Sequence, residues 1–222
     1  MFRAALFDLD GTLMDSTADI AWCGNELMRR HSFPTHPLDQ FRYFIGDGVI
    51  NLIRRMLPED ARREEVIAPL VPEYKALYAD HWAVESYVYD GIPELLAALH
   101  ARRLKLAVLS NKPHEFTLQC VAHFLPNTPF DIVRGAGSGG GGFPNKPDPA
   151  AALDIARRLE IPPADFLYLG DTNTDMQTAT RAGMFAIGVL WGLRDRAELE
   201  STGAKAVLAH PRELLTVISS AH

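Results

Sequence analysis

Short apolar runs recur along the chain, each closing on a polar or glycine-rich tip and followed by residues with helical spacing: FRAALFD, LKLAVLS, FDIVRG, DFLYLGD and FAIGVL. Strands that read as near-continuous apolar runs, alternating with helices, predict βαβ units and a parallel sheet covered on both faces. The fold class is therefore α/β, a doubly wound, mainly parallel sheet. Ile92, Leu95, Leu96 and Leu99 recur at i, i+3, i+4 and i+7 and predict a helix over about 91–103, just before LKLAVLS. Residues 14–88 break the alternation: they carry helical stripes such as Val49, Leu52, Ile53 and Met56 and no convincing strand. This stretch predicts a helical cap domain inserted after the first strand, leaving 1–13 and 89–222 as the α/β core. An insertion leaving the carboxyl edge of such a sheet covers the crevice in which these folds bind ligands.

Composition narrows the classes. With 47% hydrophobic residues in 222, the chain can bury a substantial core, which excludes disorder. Lys and Arg number 22 against 28 Asp and Glu, a net charge of −6, so there is no basic footprint for nucleic acid. The opening MFRAALFDLDG is interrupted at Asp8 too early for a signal peptide or membrane span. A cytoplasmic protein without membrane contact is expected. Cys23 and Cys120 form neither a C-x-x-C pair nor a disulfide framework and are expected to be small core residues.

The chemistry gathers at the strand tips. In LFDLDGTL, Asp8 and Asp10 point to the same side of an extended chain, where two unpaired carboxylates repel. A divalent cation would resolve the conflict; a solvated Asp-Gly turn is the alternative. YLGDTNTD sets Asp171 at another tip and Asp175 in the first turn of a helix. Four acids at neighbouring tips make a hard-oxygen site suited to Mg²⁺, although Asn173 or Asp175 could equally cap the helix. In VLSNKP, Ser110 and Asn111 offer donors for phosphoryl oxygens, or ordinary turn chemistry. The stretch GAGSGGGGFPNKPDP suggests a phosphate-cradling P-loop, but Pro147 stands where that motif needs a hydroxyl. Pro147 instead extends the backbone at Lys146, while Asp148 reads as an N-cap and Pro149 as the first helical residue. The glycines from 137 to 142 read as mobile slack. Ile45-Gly46-Asp47-Gly48 is either a glycine turn that starts the next helix or a cap loop that reaches the site. Arg42, just before it, is a candidate for binding a substrate carboxylate.

With DLDGT, SNK, KPDP and GDTNTD in order, the sequence resembles the haloacid dehalogenase superfamily of phosphatases. Its cap stretch FIGDGVINLIRRML, with LAVLSNKP and GVLWGLRDRAELESTGAKAVLAHPRELL, is most similar to phosphoglycolate phosphatases. The resemblance implies that Asp8 is a nucleophile forming an aspartyl-phosphate and that Asp10 is the acid and base for the leaving alcohol and the water. It implies Mg²⁺ held by Asp8, the Asp10 carbonyl and Asp171, with Asp175 as a further ligand or neighbour. Ser110, Asn111 and Lys146 would bind the phosphoryl group, and Gly46, Asp47 and Gly48 would meet the leaving group. The expected activity is hydrolysis of a small phosphorylated metabolite, 2-phosphoglycolate first among them, by a monomer or homodimer. Asp10 argues against dehalogenases and phosphonate-cleaving relatives, which lack it. A β-phosphoglucomutase-like phosphotransferase keeps the whole constellation and stays open. A phosphoacceptor signalling module shares the acids, hydroxyl and lysine but is about half as long and lacks the insertion.

Overall fold

The computed structural model describes residues 2–220; residue 1 and residues 221–222, the outer ends of the expected core segments, lie outside it. The five apolar runs form the strands β1 (Ala4–Phe7), β4 (Lys105–Pro113), β5 (Ile132–Ala136), β6 (Phe166–Gly170) and β7 (Phe185–Val189), and β8 (Ala206–Leu208) completes the sheet. The order is β5-β4-β1-β6-β7-β8, every pair parallel. From β1 the chain winds outward through β4 and β5, then returns to place β6 on the other side. The winding thus reverses between β1 and β6, and ligands bind at such a switch point.

Burial on both faces follows from the run composition. Ala5 and Phe7 join Leu106, Val108, Leu167 and Leu169 on one face, under Leu95, Leu96 and Leu99 of α5 (Ile92–Ala101). Ala4 and Leu6 join Ala107, Phe166 and Tyr168 on the other, under Ile155 of α7 (Ala150–Leu159) and Met176 of α8 (Asn173–Ala182). Alternate residues of one strand thus serve opposite layers. The register sets Phe7 opposite Leu169, and Asp8 N–H donates to Leu169 O at 2.9 Å. The first acid therefore emerges level with the tip of β6.

Helices α1 (Thr17–Arg30), α2 (Leu38–Phe44), α3 (Val49–Met56) and α4 (Glu64–His81) share a separate apolar cluster that includes Leu27, Met28, Phe41, Ile53 and Ile67. Its neck is a two-stranded antiparallel ribbon of β2 (Met14–Asp15) and β3 (Tyr87–Val88), with Met14 opposite Val88. Beside it the buried Asp19 carboxylate accepts the backbone N–H groups of Val84, Glu85 and Ser86, tying α1 to the returning chain. Residues 14–88 therefore do carry strand at both margins, in pieces of two residues.

The glycine run is folded rather than slack. Gly135 and Ala136 end β5, and residues 138–140 make a tight turn in which Gly140 N–H donates to Gly137 O at 3.0 Å. A Cβ on Gly140 would lie 1.8 Å from Gly135 O, and one on Gly135 would lie 2.6 Å from Lys112 O, so these two glycines are needed for close backbone packing. Helix α7 begins one residue later than expected: Pro149 holds the N-cap position, and Asp148 Oδ1 accepts from Ala150 N–H at 2.8 Å. Cys23 and Cys120 are buried and free. Among the described residues no helix is long and apolar enough to cross a membrane.

Candidate active site

Asp8, Asp171 and Asp175 meet at the switch point, with one carboxylate oxygen from each within 4.8 Å of the others, and all three are buried. Asp8 follows β1 and Asp171 follows β6. Asp175 sits in the first turn of α8, where it completes a capping box with Thr172. The capping reading of Asp175 is realised through Oδ2, which accepts from Thr172 Oγ1 at 2.7 Å, while Oδ1 accepts from Lys146 Nζ at 2.7 Å. Asp171 is held through both oxygens, by Thr12 Oγ1 at 3.1 Å and by Leu193 N–H at 2.8 Å. Glycines let the chain close on it: a Cβ on Gly11, whose φ is +86°, would lie 2.1 Å from Asp171 Oδ2, and one on Gly192 would lie 2.4 Å from Asp171 Cβ.

Lys146 Nζ also lies 2.8 Å from Asp8 Oδ1, an oxygen with no hydrogen bond in full geometry. One buried ammonium thus faces three buried carboxylates. Burial, then the Asp175 charge, raises Asp8 well above the carboxylate range against the pull of Lys146. The same two causes push Asp171 up to about 7, although Leu193 N–H, Lys146 and Thr12 oppose them. The cluster carries more negative charge than its one cation offsets, and an acidic oxygen set of this kind is suited to a hard divalent ion.

Lys146 is aimed by Asn111. Asn111 Oδ1 accepts Lys146 N–H at 2.8 Å, and Nδ2 donates to Lys146 O at 3.1 Å and to Gly46 O at 2.9 Å. The amide expected to meet a phosphoryl group is therefore committed to backbone, fastening the lysine and the cap turn. Ser110 lines the cavity, and its Oγ accepts Lys112 N–H at 3.2 Å.

Asp10 stands apart from this cluster, on the cap side. Both of its oxygens accept from Lys112 Nζ, at 2.7 and 2.9 Å, and Oδ1 also accepts from Ser16 Oγ. Burial works against the Lys112 charge, but Asp10 outweighs it and holds the ammonium well above the ordinary lysine range. Lys112 stood in the SNK motif without an assigned role; its signal was a lysine inside an apolar strand run, which demands a buried partner. Above Asp10 the cavity is walled by cap residues, among them Ile45, Gly46, Gly48, Leu52 and Tyr78.

Two cap candidates face elsewhere. Arg42 Nε donates to Leu193 O at 2.9 Å, which corrects its expected role on a substrate carboxylate. Asp47 pairs with Arg55 and accepts from Thr174 Oγ1 at 2.6 Å. Burial raises Asp47, but those two partners outweigh it and hold the carboxyl below its usual range. Gly46 and Gly48 do line the cavity. Sequence reasoning passed over Arg194, a buried guanidinium whose Nη2 donates to Ile45 O at 3.3 Å and so adds a third strap from core to cap turn.

Residues 5–189 match the family of haloacid dehalogenase-like hydrolases. The chain belongs to that family. The hydrolase is 32% identical over 209 residues to a phosphoglycolate phosphatase of Nitrosospira multiformis, covering 93% of this chain and 91% of that one. It is 30% identical over 227 residues to an N-acetylmuramic acid 6-phosphate phosphatase of Pseudomonas aeruginosa, covering 99% and 96%. A solved Lactobacillus delbrueckii subsp. bulgaricus structure, provisionally assigned as a phosphoglycolate phosphatase, superposes with a TM-score of 0.90 at 28% identity, covering 98% of each chain. The hydrolase is thus an enzyme similar to the phosphoglycolate phosphatases.

Proposed function

We propose that this hydrolase is a Mg²⁺-dependent phosphatase acting on a small phosphomonoester, 2-phosphoglycolate foremost, through an aspartyl-phosphate on Asp8. The observation that carries the reading is the pairing of Asp8 with Lys146 at 2.8 Å on the floor of a cavity that Asp10 also lines. A carboxylate can attack an anionic phosphate only beside compensating cations. The surplus of acid over base around Asp8 fits one Mg²⁺, for which Asp8, Asp171, Asp175 and the Asp10 carbonyl are the ligand candidates. When bound, the ion supplies charge neutralisation and polarises the phosphoryl oxygens.

Asp8 Oδ forms a bond to phosphorus as the bond from phosphorus to the leaving oxygen breaks, and Asp10 delivers a proton to that oxygen. Asp10 then takes a proton from water. The hydroxyl oxygen bonds to phosphorus, the acyl-phosphate linkage breaks, and phosphate leaves with Asp8 restored. Lys146 and Ser110 hold the phosphoryl oxygens, and Asn111 keeps Lys146 in place.

Residues 14–88 act as the cap and 1–13 with 89–222 as the catalytic core, a division supported by the separate apolar cluster of α1–α4 and the β2–β3 neck. A cap of four helices over the cavity suits water exclusion better than phosphoacceptor signalling. The test is phosphate release from 2-phosphoglycolate, N-acetylmuramic acid 6-phosphate, sugar phosphates and nucleotides, with Mg²⁺ and with chelator. Activity that survived chelation or Asp8→Asn would refute the mechanism. Conversion of a sugar 1-phosphate to its 6-phosphate without release would establish the phosphotransferase instead.

A further inference from the structure

Lys112 is a buried cation that the reaction as described does not use. It stands one residue before the end of β4, its side chain is 5% exposed, and its Nζ donates to both oxygens of Asp10. The cap forms part of its seat: Nζ lies 4.8 Å from the ring centroid of Tyr78 in α4, within the range of a cation–π contact. A lysine is carried into such a place only where its charge is matched, and Asp10 is the acid it meets. The acids at the strand tips are thus served by two cations, Lys146 on Asp8 and Asp175 and Lys112 on Asp10. The hydrogen bonds also distinguish the two oxygens of Asp10. An ionised carboxylate offers about two acceptor sites on each oxygen. Oδ1 fills both, with Lys112 Nζ and Ser16 Oγ, whereas among the described residues Oδ2 accepts from Lys112 alone. One acceptor site stays open, on Oδ2 of a residue that lines the cavity.

We propose that Lys112 is a positioning residue for the acid, holding the Asp10 carboxyl away from the metal-facing acids and leaving Oδ2 as the oxygen that handles the proton. This role rests on the phosphatase reading above and adds to it the residue through which the proton step is aimed. In that step the Oδ2–H bond breaks as the leaving oxygen gains the proton, and Oδ2 regains one as the O–H bond of the attacking water breaks. Lys112 keeps its own protons throughout and touches no reacting atom. Ser16, between β2 and α1, fixes the other side of the carboxyl, so the acid is held from the core strand and from the neck of the cap at once. Without Lys112, Asp10 would stand beside three further carboxylates with no cation of its own, and its side chain would be free to turn toward a bound metal.

The test is the single-turnover rate of alcohol release, in Mg²⁺, from two esters of similar shape, phenyl phosphate and p-nitrophenyl phosphate. Phenolate is the stronger base and needs the proton, whereas nitrophenolate leaves largely without it. Lys112→Met is expected to slow release of phenol about a hundredfold and of nitrophenol only about threefold, the pattern of a misaimed general acid. A lysine that supported the fold alone, or held the substrate, would slow both alike, and equal losses overturn the assignment. The second arm compares Asp10→Asn with the double variant Asp10→Asn/Lys112→Met, which strands no buried carboxylate and so serves even if Lys112→Met alone fails to fold. Because Lys112 acts through Asp10, these two should release nitrophenol at rates within about twofold of each other. A further loss of about tenfold in the double variant overturns the assignment. Phosphate release by the wild-type protein from the metabolite panel is measured alongside. Release from neither the panel nor the aryl esters overturns the phosphatase reading and the role of Lys112 together, whereas release accompanied by equal losses in Lys112→Met overturns that role alone.

Discussion

Asn111 grips the peptide of Lys146 from both sides, accepting its N–H at 2.8 Å and donating to its carbonyl at 3.1 Å. The lysine side chain therefore starts from a fixed backbone and spans the gap to Asp8 and Asp175. Asn111→Ala should leave Lys146 chemically intact but loosely aimed. Turnover is expected to fall about tenfold to a hundredfold while Mg²⁺ affinity changes little, and unfolding free energy should drop by about 2 kcal/mol for the buried groups left unpaired. Steady-state kinetics, metal titration and urea denaturation separate these effects.

Removing the lysine itself has a different signature. Lys146→Met leaves three buried carboxylates without their cation, and breaking a buried pair in this way typically costs about 3–5 kcal/mol. Added Mg²⁺ should restore much of that loss, because the ion binds the folded state and offsets the same charge. Melting scans with Mg²⁺ and with chelator check this. A variant as stable as wild type in chelator would show that Lys146 does not offset the cluster.

Asp171, raised to about 7, makes metal-free stability fall as pH rises. Its unfolded value is about 4, so between about 4 and 7 the folded protein binds more protons than the unfolded chain, and stability decreases with pH across that window. In chelator the protein should melt higher at pH 5.5 than at pH 8. Asp171→Asn should flatten the trend. A wild-type melting temperature that rose from pH 5.5 to pH 8 in chelator would contradict this assignment.

The turn after β5 is tested by two alanines. Gly140→Ala drives a Cβ to 1.8 Å from Gly135 O and is expected to cost about 2 kcal/mol or more, since backbone must move. Gly142→Ala meets nothing within 4 Å and bears only the strain of φ +69°, about 1 kcal/mol. Equal losses in chemical denaturation would mean that the turn is not packed as described.

Cys23 and Cys120 should be inert to alkylation at pH 8. Both are buried, and burial pushes their thiols up to about 12 and about 11. The thiolate is the reactive form, so labelling is expected only after unfolding. Mass spectrometry after iodoacetamide, with and without urea, reads this directly.

How far the sequence reached depended on the range of the interaction. The positions of Asp8, Asp10 and Asp171 were legible because apolar runs announce strands and polar tips announce where strands end, whereas Lys146 stood out through the KPDP motif. The three residues of β8 and the two-residue strands at Met14 and Tyr87 are too short for any period to emerge. Asn111 was read as a ligand donor because nothing local shows that its amide meets a backbone 35 residues away. The partners of Lys112 and Arg42 escaped for the same reason, lying 102 and 151 residues off in sequence. The glycine run misled because composition does not distinguish a flexible segment from a tight one.

Leu193 contributes no side-chain chemistry, yet its peptide works at both ends: its N–H supports Asp171 Oδ2, and its carbonyl accepts Arg42 Nε from the cap. Residue 193 thus joins the two parts of the molecule twice over, by its peptide and by its side chain, which packs in the apolar cluster of α1–α4. The Leu193 side chain is itself buried there, so packing as well as hydrogen bonding holds this residue in place, and Arg42 supports a carboxylate it never touches. A change at Arg42 in α2 therefore reaches Asp171 through the peptide of Leu193.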